Sequence, residues 1–337
     1  MDLSRIIGTR IEGVRIRVVS FGIVSAAILT AGCVESQQRG IPLEPLYTEG
    51  VRYAGAGTFA PGTISDERWQ WRITFTPNGQ DAYFAVSDEF FPASRHATIM
   101  MSSRQDDGTW STPEVAPFSG QYSDMDPFLS PDGRRLYFSS IRPLDGVDRP
   151  DLDIFYVERT ARGWGAAVRL GPEVNSDLDE LYPSVSAAGT LYFGAGPFGP
   201  TPDADWDIYR AERNGDGFAG RQPLAEINTD LPFDPADPTA DWEFNPEISI
   251  DGRTLVFTSP RPGGYGFGDL YVSRLHRGAW SEPVNLGPAV NTENDEFHPT
   301  LSRNGRTLYF ARTQFTPSFV PSDFYSVDVR ELEGFRR

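Results

Sequence analysis

The chain of 337 residues contains no lysine, and all 30 of its basic residues are arginine. Without a lysine amine there is neither Schiff-base chemistry nor a phosphate-cradling P-loop. Histidine is scarce, limited to His96, His276 and His298, and cysteine occurs once, at Cys33. That shortage argues against a zinc site of His/Cys type. No serine lies in a Gly-x-Ser-x-Gly elbow, so no nucleophile of that type is marked. Positive charge is in deficit: 47 acidic residues give a formal net charge of −17. Loss of the first 32 residues, with four arginines against Asp2 and Glu12, would leave 26 basic and 45 acidic residues, a net of −19. Such a field repels polyanions, so nucleic acid is not an expected partner.

What the chain does contain is a unit that returns five times. Gly79, Gly133, Gly189, Gly252 and Gly305 each sit between two short apolar runs, four of them after Asn or Asp and Gly189 after Ala188. A strand of Tyr-Phe type follows each: Tyr83-Phe84, Tyr137-Phe138, Tyr192-Phe193, Val256-Phe257 and Tyr309-Phe310. A period of about 50 residues built from strands and tight turns is the signature of a β-propeller blade. A third strand opens at Asp153, Asp207, Asp269 and Asp323, and a fourth near Trp110, Trp164, Phe218 and Trp280. Four strands per unit complete a blade. The expected fold is therefore all-β, a five-bladed propeller of four-stranded antiparallel blades, with six blades as the alternative. The last unit stops where its fourth strand should begin, so an N-terminal strand from Pro42 to Ala56 is expected to close the ring and leave no unpaired edge.

The first residues carry a separate message. Arg5, Arg10, Arg15 and Arg17 precede an uncharged stretch from Val18 to Leu29, which ends in Thr30-Ala31-Gly32-Cys33. A basic start and a short apolar run describe an export signal, too short for a membrane-spanning helix. The ending resembles a bacterial lipoprotein signal, which implies a lipidated Cys33 and, with Val34 following, the outer membrane. The expected organisation is a signal at 1–32, a polar tether at 33–45 and one propeller domain at 46–337.

The run Glu296-Phe297-His298-Pro299, then Asn304-Gly305-Arg306-Thr307-Leu308-Tyr309-Phe310 and Asp323-Phe324-Tyr325, resembles the TolB-type, WD-repeat-like propeller family. Ser130-Pro131-Asp132-Gly133 and Arg261-Pro262-Gly263-Gly264 repeat parts of the same pattern, and the resemblance covers residues from about 66 to 330. It implies the fold firmly and the activity hardly at all, because members range from envelope partners to propellers joined to enzymes.

Binding residues gather on long loops held by a rigid scaffold. In this chain the long loops join second to third strands or cross between blades, and all of them fall on one face. There the candidates are Phe90, Phe91, Arg95 and His96 in the irregular loop of blade one, Phe233 in the long crossing from Leu231 to Asp241, and Arg142, Trp206, Arg261, Tyr265 and Phe267 in other loops. An acidic ring of Asp124, Glu180, Glu243 and Glu296 would surround the axial mouth, with Gln70 in its place in blade one and His298 beside it. An acid recurring once per blade serves the blade as a clamp; the competing reading makes two of the four the acid and base of a carbohydrate hydrolase or lyase. The aspartates opening the third strands are expected to hold their own loops and to pair with Arg142, Arg261 and Arg312. The crossings Asn175–Glu180 and Asn291–Glu296 offer oxygen ligands of calcium type but lack the spacing of a dedicated loop, so no cofactor is expected. The reading that results is a monomeric, lipid-anchored envelope propeller binding a protein or glycan without catalysis.

Overall fold

The computed structural model describes residues 55–144, 146–148, 151–197, 205–232, 234, 237, 239–314 and 320–335. Five antiparallel sheets stand in a ring. Blade one runs Trp69–Phe75, Asp81–Ser87, Thr98–Ser103 and Glu114–Val115, and blade two Asp124–Leu129, Arg135–Ser140, Asp153–Thr160 and Val168–Arg169. Blade three follows with Asp179–Val185, Leu191–Gly196, Asp207–Asn214 and Gly217–Pro223. Blade four is Phe244–Ile248, Thr254–Ser259, Asp269–His276 and Val284–Asn285. Blade five contributes Asp295–Leu301, Thr307–Thr313 and Asp323–Asp328. Its outer strand comes from the other end of the chain: Gly57–Thr58 pairs with Ser326 and Tyr325. The ring therefore closes as the repeat pattern required, although the pairing residues lie just past the expected Pro42–Ala56 segment. Residues 42–54 of that segment, like the signal, Cys33 and the tether, are outside the described residues.

The five turns show why the repeat needs its glycine. Each glycine has a φ between +65° and +93°, which an L side chain rarely tolerates. Each also donates its N–H to the carbonyl three residues back, Thr76, Ser130, Ser186, Ser249 or Ser302. The preceding Asn or Asp stays right-handed, contrary to a turn with two positive φ angles. Its side chain instead accepts from the hydroxyl two residues earlier: Thr76 to Asn78 at 2.7 Å, Ser130 to Asp132 at 2.6 Å, Ser249 to Asp251 at 2.6 Å and Ser302 to Asn304 at 2.9 Å. The same oxygens accept the backbone N–H two residues on, from Gln80, Arg134, Arg253 and Arg306 at 3.0 to 3.2 Å, and these Asx turns fix the hairpins through local bonds.

Apolar faces of neighbouring sheets pack on each other, burying Phe84, Phe138, Phe193, Phe257 and Phe310 completely, one from each second strand. The innermost strands pack side by side around the axis and are stitched across the seams. Thr74 accepts from the Leu129 amide at 3.1 Å, Ser184 from Ile248 at 3.2 Å and Glu247 from Leu301 at 2.9 Å, while Thr300 donates to the Ile73 carbonyl at 2.7 Å. Blade two has Phe128 at this position, where no such bond can form.

Candidate functional site

The acidic ring is a set of ion-pair clamps. Asp124 accepts from Ser140 at 2.7 Å, from Ser119 at 2.8 Å and from Arg142 through two bonds of 3.0 Å. Glu180 accepts from Ser176 and from Arg221 at 2.8 Å. Glu243 binds the Thr229 amide at 2.7 Å, Ser259 at 2.8 Å and Arg261 at 2.8 Å. Glu296 binds the Thr292 amide at 2.9 Å and its hydroxyl at 2.7 Å, with Arg312 at 2.6 Å. All four acids have no exposed surface. Each arginine also lies over an aromatic ring of its own blade: Arg142 over Phe138, Arg221 over Tyr209, Arg261 over Tyr271 and Arg312 over Tyr325, at 4.4 to 5.0 Å. Burial pushes the Glu180, Glu243 and Glu296 carboxyls upward, against the pull of these donors and arginines. In blade one Gln70 keeps the place through Asp66 and Ser322.

Arg142, Arg261 and Arg312 therefore serve the ring and not the third-strand aspartates, a correction to the expected pairing. Arg142 and Arg261 follow their second strands and Arg312 lies near the end of its own, and in each blade the neighbouring first strand carries the acid. Asp153 pairs with Arg169 from the outer strand at 2.6 and 2.7 Å. Asp269 holds its own loop as expected, accepting the Tyr265 amide at 2.6 Å. Burial and neighbouring carboxylates push Asp207 and Asp323 up to about 6.

Two residues beyond the ring, the repeat breaks completely. The five equivalent positions hold Arg72, Asp126, Tyr182, Asn245 and His298, all buried on the axis. Four of them precede a proline and adopt φ between +51° and +62°, beside an irregularity in the strand register. This is strained backbone for Asp, Tyr, Asn and His, and such strain persists only where the surroundings enforce it. Arg72 crosses the axis to Glu247 at 2.5 Å and to the Pro183 carbonyl at 3.1 Å. The Asp126 carboxylate makes no regular hydrogen bond, and His298 Nδ1, also unbonded, lies 3.4 Å from its Oδ1. Burial raises Asp126 to about 7, with Arg72 and the Tyr182 amide only partly opposing. The His298 imidazole is held well below its ordinary value by burial and by Arg72. At neutral pH the imidazole is therefore uncharged, and the acid beside it is about half protonated.

The long-loop side of this layer is roofed by rings. Phe91, 2% exposed, opens a single helical turn, Phe91–Ser94, and meets Trp71 edge-on at 6.0 Å. Phe90 is half-buried against Trp69 at 5.0 Å. Arg95 fastens the loop to blade three through Asp179 at 2.9 Å. Trp206, 3% exposed, packs on Tyr182 and Trp242. Phe91 and Trp206, two of the candidates on the long-loop face, are thus turned inward, because the axis below them offers apolar surface to cover. His96 and Tyr265 are exposed, Phe267 is half-buried, and Phe233 lies outside the described residues. His298 sits on the axis as anticipated. Asp126 and Arg72 were not anticipated, although the offset they share with His298, two residues past the ring, is legible once the ring is aligned.

At the opposite, short-turn end all five blades line a cavity of about 1340 Å³. Thr74, Phe128, Val185, Ile248 and Thr300 form its inner wall, and Glu247, bonded to Arg72, belongs to its inner end. On one side Phe59, Phe75, Trp110 and Tyr309 contact one another at 4.7 to 6.0 Å. The residues that shape this end come from short turns, so loop length could not reveal it.

Fold and site together define a five-bladed β-propeller whose axis is plugged by a buried polar layer, roofed on one face and open on the other. No protein-family model matches the chain, and no curated protein matches it. Among solved structures it is similar to a TolB of Agrobacterium tumefaciens, with 18% identity, 73% of this chain and 70% of that one covered, and a TM-score of 0.47. A TolB of Acinetobacter baumannii gives 14% identity and a TM-score of 0.45, with 82% of this chain covering 64% of that one, less than two thirds of its length. An α-L-arabinofuranosidase of Lactobacillus brevis gives 14% identity and a TM-score of 0.47 over 77% and 90%. At these identities the likeness is one of architecture alone.

Proposed function

We propose that the protein is an exported, lipid-anchored propeller of the cell envelope that binds a protein or glycan partner without transforming it. The state of the acidic ring carries this reading. A glycosidase needs two carboxyl groups free to face the scissile bond, one as acid and one as base or nucleophile. Here all four candidates are enclosed, each already accepting from an arginine and from hydroxyl or amide donors. A clamp repeated blade by blade stiffens the scaffold, and a rigid scaffold with an open cavity is what a binding module requires. Anchoring is supported by Cys33, the sole cysteine, at the end of the apolar stretch, with the signal at 1–32 and the tether at 33–45 ahead of the propeller.

Site-specific photocross-linking in the native envelope tests this, with probes placed at Thr109 and at Tyr265 on opposite faces. Discrete cross-linked species from either position are the expected result. Absence of any adduct, together with release of reducing ends from envelope glycans by the purified protein, would overturn the binding reading in favour of an enzyme.

A further inference from the structure

We infer that the short-turn cavity is the binding site for an extended, acidic polypeptide segment, an inference that rests on the binding-module reading. Its volume of about 1340 Å³ exceeds the roughly 300–1,000 Å³ of ordinary small-ligand pockets, so it suits a length of chain better than a metabolite. Its charge is opposite to that of the protein. Arg104, Arg274 and Arg303 line it, against Asp251 and a Glu247 already neutralised by Arg72. A positive cavity within a chain of net charge −17 selects for an anionic ligand.

The three arginines are also available. Arg303 is exposed and donates to the Pro131 carbonyl at 2.5 Å. Arg274 donates to the Thr254 hydroxyl at 3.1 Å and lies 5.2 Å over the Phe335 ring. Arg104 is exposed beside Tyr309. Among the described residues none of the three forms an ion pair with a carboxylate, whereas every arginine of the acidic-ring clamps does. A guanidinium bonded only to neutral oxygens keeps donors for a planar, bidentate carboxylate partner.

The apolar wall favours a peptide over an acidic glycan. Phe59 meets Phe75, Trp110 and Tyr309 edge to face, at interplanar angles of 89°, 66° and 78°. The rings therefore form a corrugated wall suited to apolar side chains, not a flat platform for stacking a sugar ring. The ligand class is a segment in which Asp or Glu alternates with apolar residues.

The test uses the full chain in detergent and labelled peptides that alternate Glu with Leu, with Gln-Leu peptides and oligogalacturonate as competitors. We expect the Glu peptide to bind and to weaken at least tenfold between low and high salt, as screened charge contacts do. Arg303→Gln should weaken it a few-fold, and the triple change of Arg104, Arg274 and Arg303 to Gln at least tenfold, with an unchanged melting temperature. Tyr265→Ala, on the opposite face, should leave it unaltered. Equal binding of the Gln peptide, or binding undiminished in both arginine variants, overturns the inference, and so does preference for oligogalacturonate. Should cross-links arise from Tyr265 and not from Thr109, this site is wrong while the binding-module reading survives.

Discussion

Replacing Asp126 by Asn isolates the electrostatics of the axial layer. The substitution keeps size and shape and removes the one carboxyl there that makes no regular hydrogen bond. In the folded protein that carboxyl titrates at about 7, against 3.8 when free. A raised folded pKa means that the fold prefers the protonated form. The contribution of Asp126 is thus intact below pH 4 and is lost as the pH climbs through 7. Three pK units at about 1.4 kcal/mol each put the loss at about 4 kcal/mol. The variant carries no such dependence, so its stability relative to wild type should rise by about that amount between pH 4 and pH 8. Urea unfolding of both proteins across that range, followed by tryptophan fluorescence, measures it, and the other titrating groups cancel in the difference. A difference that stays flat with pH would refute the reasoning. So would a variant that loses stability relative to wild type as the pH rises to 8, since wild type would then gain stability by ionising Asp126 beside a protonated His298.

Three further outcomes are expected. Arg312 and Glu296 are both fully enclosed, so Arg312→Ala strands a buried carboxylate and should cost about 3–5 kcal/mol in urea unfolding; a loss below 1 kcal/mol would show that Glu296 takes a proton and needs no partner. Deleting residues 34–60 removes the Gly57–Thr58 pairing and the Phe59 ring at the seam between blades five and one, and should lower the melting temperature of the whole ring in one cooperative step. An unchanged midpoint would mean that the seam holds without that strand. Cys33→Ala should shift the protein from the membrane to the soluble fraction or leave it unprocessed, and persistence in the membrane at the usual mobility would refute lipid anchoring.

The architecture was legible because blade signals are local. A glycine forced to positive φ, an Asn or Asp reaching the hydroxyl two residues back, and an aromatic second strand all lie within about ten residues of one another. They recur at a period that only a ring of sheets explains. The acidic ring was legible for the same reason, and its recurrence already argued for a clamp. Its partners were not all legible: Arg142, Arg261 and Arg312 stand at or just past the ends of the second strands, but Arg221 comes from an outer strand 41 residues from Glu180. Nor did the sequence reveal that Phe91 and Trp206 turn inward, because exposure is decided by what lies beneath a loop and not by its composition. The axial layer and the open cavity belong wholly to the tertiary structure. Arg72 lies 175 residues from Glu247, and Asp126 and His298 come from different blades. Closing the ring brings them within a few ångströms, and burial there sets their protonation; no local pattern encodes either.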